Sequence, residues 1–275
     1  TKSLETTDKQ LAHIEDLINS YSVQAQKGNI PLKDVVRLQS LYLNFKNDRL
    51  EVINDNIEEQ ANLKLLLNAT EEIVPNVSKE EFNKYLKTID FDLKSFENEA
   101  IANRPDYLAR QKEIDANELN VKWQKSLSVP DITLGAKYDQ RSGAFNNEAN
   151  LTVGIPLPLW NQNKGNIKYA QTILAQSKVE KQNFDLQLQN EITSAWNKWE
   201  ESRKNYVVVK PNVNSDFEAV YNGILTNFQK RNISLLEFTD FMESYNQVNI
   251  QVNELKKKLA LSAEELNSTI NKDLF

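Results

Sequence analysis

Ile132-Thr133-Leu134-Gly135-Ala136-Lys137-Tyr138-Asp139, and then Ala149-Asn150-Leu151-Thr152-Val153-Gly154-Ile155-Pro156-Leu157, alternate apolar with polar or small residues at a period of two. Successive side chains on a strand point to opposite faces, so each segment gathers its large apolar residues on one face. Between them, Gln140 to Glu148 carries the turn formers Ser142, Gly143, Asn146 and Asn147. Val129–Leu159 therefore predicts a β-hairpin whose strands run about ten residues, the span of a tilted barrel strand. A lone two-stranded hairpin is marginal in water. Either its apolar face packs on the chain's own helices, or that face meets lipid while the polar face meets a lumen. On the second reading Leu134, Leu151, Val153 and Ile155 are lipid-facing.

Around the hairpin the chain reads as helix. It has 275 residues, 40% of them apolar, with only 6 glycines and 7 prolines. Long helices are expected over Leu4–Gln26, Pro31–Asn68, Asn166–Lys204 and Ile233–Ile270, and shorter ones over Ser78–Leu86, Leu93–Ala102, Asp106–Leu127 and Asn212–Phe228. Pro31 suits a first helical turn. Ser78 and Glu81 have capping-box spacing. Phe238, Phe241, Tyr245, Val248, Val252, Leu255 and Leu259 are spaced alternately three and four apart, with Leu266 continuing the series. That seven-residue repeat predicts supercoiled packing. The fold class is mainly α with one β-hairpin, organised as helical segments 1–128 and 160–275 around a hairpin at 129–159.

Charge and composition narrow the function. A net charge of −6 and a pI near 5.1 argue against a nucleic-acid partner. The chain has no cysteine, which excludes thiolate metal sites, and no run of eighteen apolar residues that would form a membrane-crossing helix. No phosphate loop or nucleophile elbow is present. No acid–base pair stands out among the carboxylates, so no catalytic residue, cofactor or metal site is assigned. His13, the one histidine, sits near Asp16 on a polar helix and reads as a solvated residue.

An internal repeat is present. Gln26-Lys27-Gly28-Asn29-Ile30-Pro31-Leu32 matches Gln229-Lys230-Arg231-Asn232-Ile233-Ser234-Leu235 at five of seven positions, at an offset of 229 − 26 = 203 residues. Asp34 then matches Glu237, and Val35 matches Phe238. In both copies a helix precedes the motif and a long helix follows, so each copy reads as the tip of a helical hairpin. Only the second copy has a β-hairpin upstream, which leads to the expectation that the chain is an N-terminally truncated fragment.

Three segments carry a resemblance. Asn103-Arg104-Pro105-Asp106 resembles the "RPD" signature of the TolC family of outer-membrane channels. Gly154 to Ile167, GIPLPLWNQNKGNI, resembles that family's strand-to-helix turn and is most similar to its CzcC-like heavy-metal branch. Asn232 to Asp240, NISLLEFTD, is similar to its second periplasmic tip. The resemblance implies a passive export conduit rather than an enzyme. It implies a homotrimer in which each subunit gives four strands to a twelve-stranded barrel in outer-membrane lipid, with the helices in the periplasm. Its implied partners are a periplasmic adaptor and an inner-membrane pump.

It further implies adaptor docking at the tips (Gly28, Asn29, Ile30, Arg231, Asn232, Ile233). Constriction acids are implied at Glu237 and Asp240, with Asp34 and Arg37 holding the aperture shut. Arg231 departs from the glycine usual at that tip, so a turn that differs in detail is expected there. Trp123 and Trp160 flank the hairpin and suit either a membrane–water boundary or core packing, while Trp196 and Trp199 read as packing residues. The alternative reading is a periplasmic adaptor or coiled-coil scaffold. An adaptor should carry a strand-rich, glycine-rich domain, and a plain scaffold leaves the amphipathic hairpin unexplained.

Overall fold

The computed structural model describes residues 2–75, 77–141, 146–156, 160, 162–213 and 216–275. In chain order the elements are α1 (Lys2–Gln26), α2 (Leu32–Leu67), α3 (Lys79–Asn83) with a 3₁₀ turn (Lys84–Leu86), α4 (Leu93–Asn103), α5 (Pro105–Ser126), strands β1 (Thr133–Arg141) and β2 (Asn146–Gly154), α6 (Lys164–Val213), α7 (Asp216–Gln229) and α8 (Leu235–Ile270). They form two compact units. The first holds residues 1–90, 195–266 and 275, and the second holds 91–194 and 267–274.

In the first unit α1, α2, α7 and α8 share one core. Leu11 and Ile14 meet Leu38, Leu41 and Phe45, together with Tyr221, Phe228, Phe238, Met242 and Tyr245. Each such side chain contributes roughly 1.5–3 kcal/mol when fully buried. Phe228 and Phe238 stack at 4.2 Å between centroids, and Tyr221 and Tyr245 at 5.0 Å. A second aromatic group surrounds Trp199, which packs on Trp196 at 4.9 Å and Phe275 at 5.0 Å.

The seven-residue series on α8 is realised with a shift. Phe238, Tyr245, Val252, Leu259 and Leu266 are buried as expected. Met242, Ala263 and Ile270 are the further buried apolar positions, while Phe241, Val248 and Leu255 lie half-buried beside the seam. Spacing alone does not say which of two neighbouring i+3 or i+4 positions faces inward. The packed partners decide that. Most helix ends also moved by a few residues, and α6 runs nine residues past its expected end at Lys204, to Val213. Pro31 precedes the helix as its N-cap, with φ −64° and ψ 139°, rather than opening the first turn. Ser78 and Glu81 form the expected capping box.

In the second unit the Arg-Pro-Asp segment forms a node. Pro105 starts α5, where a missing N–H costs nothing. Arg104 makes two bonds to Asp106, at 2.6 and 3.0 Å, reaches Glu191 of α6 at 2.8 Å and donates to the Thr269 carbonyl at 3.2 Å. Its pKa is driven up, first by the bond to Asp106. The Asp106 carboxyl is held low by the same guanidinium. Nearby, Lys181 binds the Tyr107 hydroxyl at 2.9 Å and Asp185 at 3.0 Å. The signature is thus a junction tying the start of α5 to α6 and to the last turn of α8.

Candidate functional site

The hairpin register carries the two-faced pattern across both strands. Leu134 pairs with Val153, Ala136 with Leu151 and Tyr138 with Ala149. Thr133 pairs with Gly154, Gly135 with Thr152 and Lys137 with Asn150. Directly opposed residues share a face, so the apolar sets of the two strands coincide. On the polar face each glycine opposes a threonine whose hydroxyl donates to the glycine carbonyl, at 3.1 Å from Thr133 and 3.3 Å from Thr152. The apolar face is uncovered: Leu134 is 79% exposed, Leu151 88%, Val153 68% and Ile155 53%. Packing of this face on the chain's own helices is therefore not what the structure shows. Each strand has nine residues, and β1 and β2 extend into the stretch expected as loop. Ser142 and Gly143, and the Leu157-Pro158-Leu159 and Asn161 portions of the strand-to-helix turn, lie outside the described residues. Trp123 and Trp160 are largely exposed, so neither is a core residue, whereas Trp196 and Trp199 are buried.

The two repeat tips lie side by side in the first unit and adopt the same turn. Gly28 and Arg231 are both left-handed, at φ +75° and +62°. In the first tip Gly28 N–H donates to the Ala25 carbonyl and Asn29 N–H to that of Gln24, both at 2.9 Å. In the second, Arg231 donates to Phe228 and Asn232 to Asn227, again both at 2.9 Å. This pair of bonds is a Schellman ending. Each asparagine side chain also donates back to residue 24 or 227, at 2.8 and 3.2 Å. The expectation that Arg231 alters the turn is therefore wrong, because the bonds that close the helix end impose the left-handed residue whatever its side chain. A non-glycine residue there is strained by roughly 1–2 kcal/mol. Arg231→Gly is expected to stabilise the first unit by about 1 kcal/mol net of the added chain entropy, read as a raised urea midpoint at unchanged slope.

Between the tips lies an open groove of about 980 Å³, lined by Tyr21, Asn29, Ile30 and Pro31 of the first tip and by Phe228, Arg231 and Ile233 of the second, with Asp34 also at its wall. The Tyr21 phenol is pushed up, first by burial and then by the nearby Asp34 carboxylate. Of the predicted gate residues, Glu237 and Asp240 are exposed on the first turns of α8; Arg37 is exposed and Asp34 half-exposed at the start of α2.

Glu237 caps its own helix. Its carboxylate accepts from the Ser234 N–H and hydroxyl, both at 2.8 Å, while Glu237 N–H donates to Ser234 Oγ at 3.2 Å. This is a capping box. The Ser-Leu-Leu-Glu spacing signals it, as the spacing of Ser78 and Glu81 does for α3. The backbone bond from Ser234, above all, holds the Glu237 carboxyl below its usual range. The first copy has proline at the cap position and no side-chain cap.

His13 also departs from expectation. It is half-buried, with Nδ1 at 2.7 Å from the Tyr221 hydroxyl and the rings stacked at 6.2 Å. Burial pushes the Tyr221 phenol up to about 12. The contact packs α1 on α7, which sequence neighbours such as Asp16 could not reveal.

The profile of the outer membrane efflux protein family matches residues 97–272. The cobalt-zinc-cadmium resistance protein CzcC of Cupriavidus metallidurans is 28% identical over 153 residues, covering 55% of this chain and 36% of that protein. Among solved structures, CusC, described in terms of folding and transmembrane channel formation, superposes with a TM-score of 0.76 at 15% identity, over 98% of this chain and 64% of its own. The CmeC outer membrane channel of Campylobacter jejuni also gives 0.76, at 12% identity, over 99% and 60%. The chain thus spans about a third of CzcC and less than two thirds of either channel subunit. With a family profile matched across both helical flanks of the hairpin, and the mainly helical TolC-like fold shared with these channels, the chain belongs to the outer membrane efflux protein family.

Proposed function

We propose that the full-length protein is the outer-membrane channel of a tripartite efflux system, a passive conduit whose cargo is metal ions or small toxic compounds. The observation that carries this reading is the hairpin: one face is apolar and uncovered, the other polar, in a common register. Such a surface suits a strand pair between lipid and a water-filled lumen. The likeness to CzcC supports a metal cargo, and selection of that cargo falls to the pump. In this reading the protein is a homotrimer with its helices in the periplasm, and the groove between the twin tips receives a periplasmic adaptor.

Purified full-length protein in planar bilayers is expected to give discrete single-channel conductance. Absence of channels from correctly assembled trimers overturns the reading. Glu237 and Asp240 are proposed to ring the narrow end, where carboxylates favour cations. Because Glu237 also caps α8, the informative variant is Glu237→Gln with Asp240→Asn. Gln at this position keeps the capping geometry while the charge is lost. Cation selectivity is expected to fall several-fold, and block by multivalent cations to weaken, with no loss of helix content. The folded-state pKa of Glu237 is depressed, so the cap's stabilisation is present above the ordinary carboxylate value and is lost as pH falls through the lower folded value. The Glu237 cap should accordingly persist as pH is lowered to about 4.3, the unperturbed value for Glu. Unchanged selectivity in the double variant removes both residues from the gate.

A further inference from the structure

At the hairpin end of the second unit, Asn163 Nδ2 donates to the Gln124 carbonyl at 2.8 Å, so the last turn of α5 lies against the first turn of α6. Lys122, Lys125, Lys164 and Lys168 all sit within five residues of that contact and are exposed. At 1.5 Å per residue they occupy a layer roughly 8 Å deep. The chain supplies this layer with no acid: none occurs from 119 to 130 or from 149 to 179, although the net charge is −6. Asp131, two residues before β1, is the next acid along the chain after Glu118. Among the described residues none of the four lysines makes an ion pair. Elsewhere in the same unit Lys178, Lys181 and Lys272 are each held by a carboxylate, at 2.8 to 3.0 Å.

Rings accompany the cations. Trp123 is 58% exposed, Tyr169 68% and Trp160 86%. Such rings favour a membrane–water boundary, because the ring is apolar while its N–H or O–H is not. From the helix ends the surface runs on through Val129 and Ile132, both exposed, to the uncovered apolar face of the hairpin at Leu134. Cations and rings on the helices thus give way to apolar side chains on the strands. A bilayer has the same order. Its headgroup layer is about 5–8 Å thick on each side of the hydrocarbon, close to the depth of the lysine layer.

We propose that this layer is a binding surface for anionic phospholipid headgroups in the leaflet facing the helical end, with Lys122, Lys125, Lys164 and Lys168 taking the phosphates. An ammonium offers three donors to phosphate oxygens in charge-assisted hydrogen bonds. Lysine stems can lie along apolar surface while the heads stay at headgroup level. A carboxylate in the layer would occupy the ammonium groups and repel phosphate, and the layer has none. A zwitterionic headgroup brings its own ammonium, which cancels its phosphate, so the surface prefers lipid with a net negative charge. The proposal rests on the outer-membrane reading and adds the class of lipid selected and the residues that select it.

The test titrates full-length protein, in neutral detergent, with phosphatidylglycerol or with phosphatidylcholine of the same chains, and counts retained lipid by native mass spectrometry. Wild-type protein is expected to hold phosphatidylglycerol at least about tenfold more tightly. Lys122→Gln, Lys125→Gln, Lys164→Gln and Lys168→Gln together should bring the two lipids within about twofold of each other, with helical circular dichroism unchanged. The same exchange at Lys9, Lys87, Lys257 and Lys258, exposed in the first unit, should keep the tenfold preference. Soluble glycerol phosphate should fail to displace the lipid even at about a hundredfold excess, because the acyl chains supply much of the affinity. Displacement at equal concentration makes this a site for free anions and overturns the proposal. Equal retention of both lipids by wild-type protein, or a preference that survives in the first quadruple variant, also overturns it, and conductance in planar bilayers then leaves the channel reading intact. A wild-type protein that retains neither lipid and forms no channels overturns both.

Discussion

Leu151→Arg is expected to remove most of the full-length protein from the outer membrane, whereas Thr152→Arg leaves assembly near wild type. The two positions are adjacent in sequence and opposite in face. Leu151 pairs with Ala136 on the uncovered apolar face and is 88% exposed. Thr152 pairs with Gly135 on the polar face. In the proposed barrel an arginine at mid-bilayer on the lipid side costs roughly 2–4 kcal/mol, while a lumen substitution tunes conductance. The long side chain at 152 also has room across the pair, since Gly135 presents no side chain. The measurement is the heat-resistant trimer recovered from outer-membrane fractions, with conductance recorded for the Thr152 variant. Equal recovery of both proteins would show that the face assignment is reversed or that the hairpin never meets lipid.

The second large effect is expected at Trp199. Its side chain is fully buried, its Nε1 donates to the Tyr85 carbonyl at 3.1 Å, and the Arg203 guanidinium lies over the ring at 5.7 Å. Tyr85 is itself anchored, its hydroxyl donating to Glu264 at 2.5 Å; burial, first, and then that bond push its pKa up to about 12. Trp199→Ala removes the packing against Trp196 and Phe275 and orphans the Tyr85 carbonyl. A cost of about 3–5 kcal/mol is expected. Trp199→Phe retains much of the ring packing and loses the hydrogen bond, so it should cost about 1–3 kcal/mol. Equilibrium urea unfolding followed by helical circular dichroism separates the two variants. Similar midpoints for Ala and Phe would show that the hydrogen bond, not the ring, sustains this part of the first unit.

Local pattern was enough for much of the fold. The period of two in Leu134–Tyr138 and Ala149–Ile155 determined a two-faced hairpin, because strand geometry leaves a side chain no other choice of face. The seven-residue series ending at Leu266 determined a long packed helix, and the duplicated Gln-Lys-x-Asn-Ile segment determined two like tips. Those features depend on near neighbours in the chain, and near neighbours are what sequence displays.

Other features came only from contacts distant in sequence. That Met242 is fully buried while Phe241 beside it is half-buried depends on which neighbouring helix receives them. Asp16 lies three residues from His13, about one helical turn, yet the partner of His13 is Tyr221 of α7. Arg231 takes the left-handed turn because Asn232 and its own N–H must satisfy carbonyls at the end of α7, and that hydrogen-bond demand outweighs the side chain's preference. The tertiary structure also showed that Glu237 caps α8, a task that its letter in the sequence shares with every other carboxylate. It alone revealed that Val36, Leu43, Leu50 and Ile57 of α2 lie exposed while Thr239 and Asn246, the counterparts of Val36 and Leu43 in the second copy, are buried. The reason is physical: two copies with the same period acquire different surroundings once each packs on the other, and only one of their two flanks can be satisfied within a single chain.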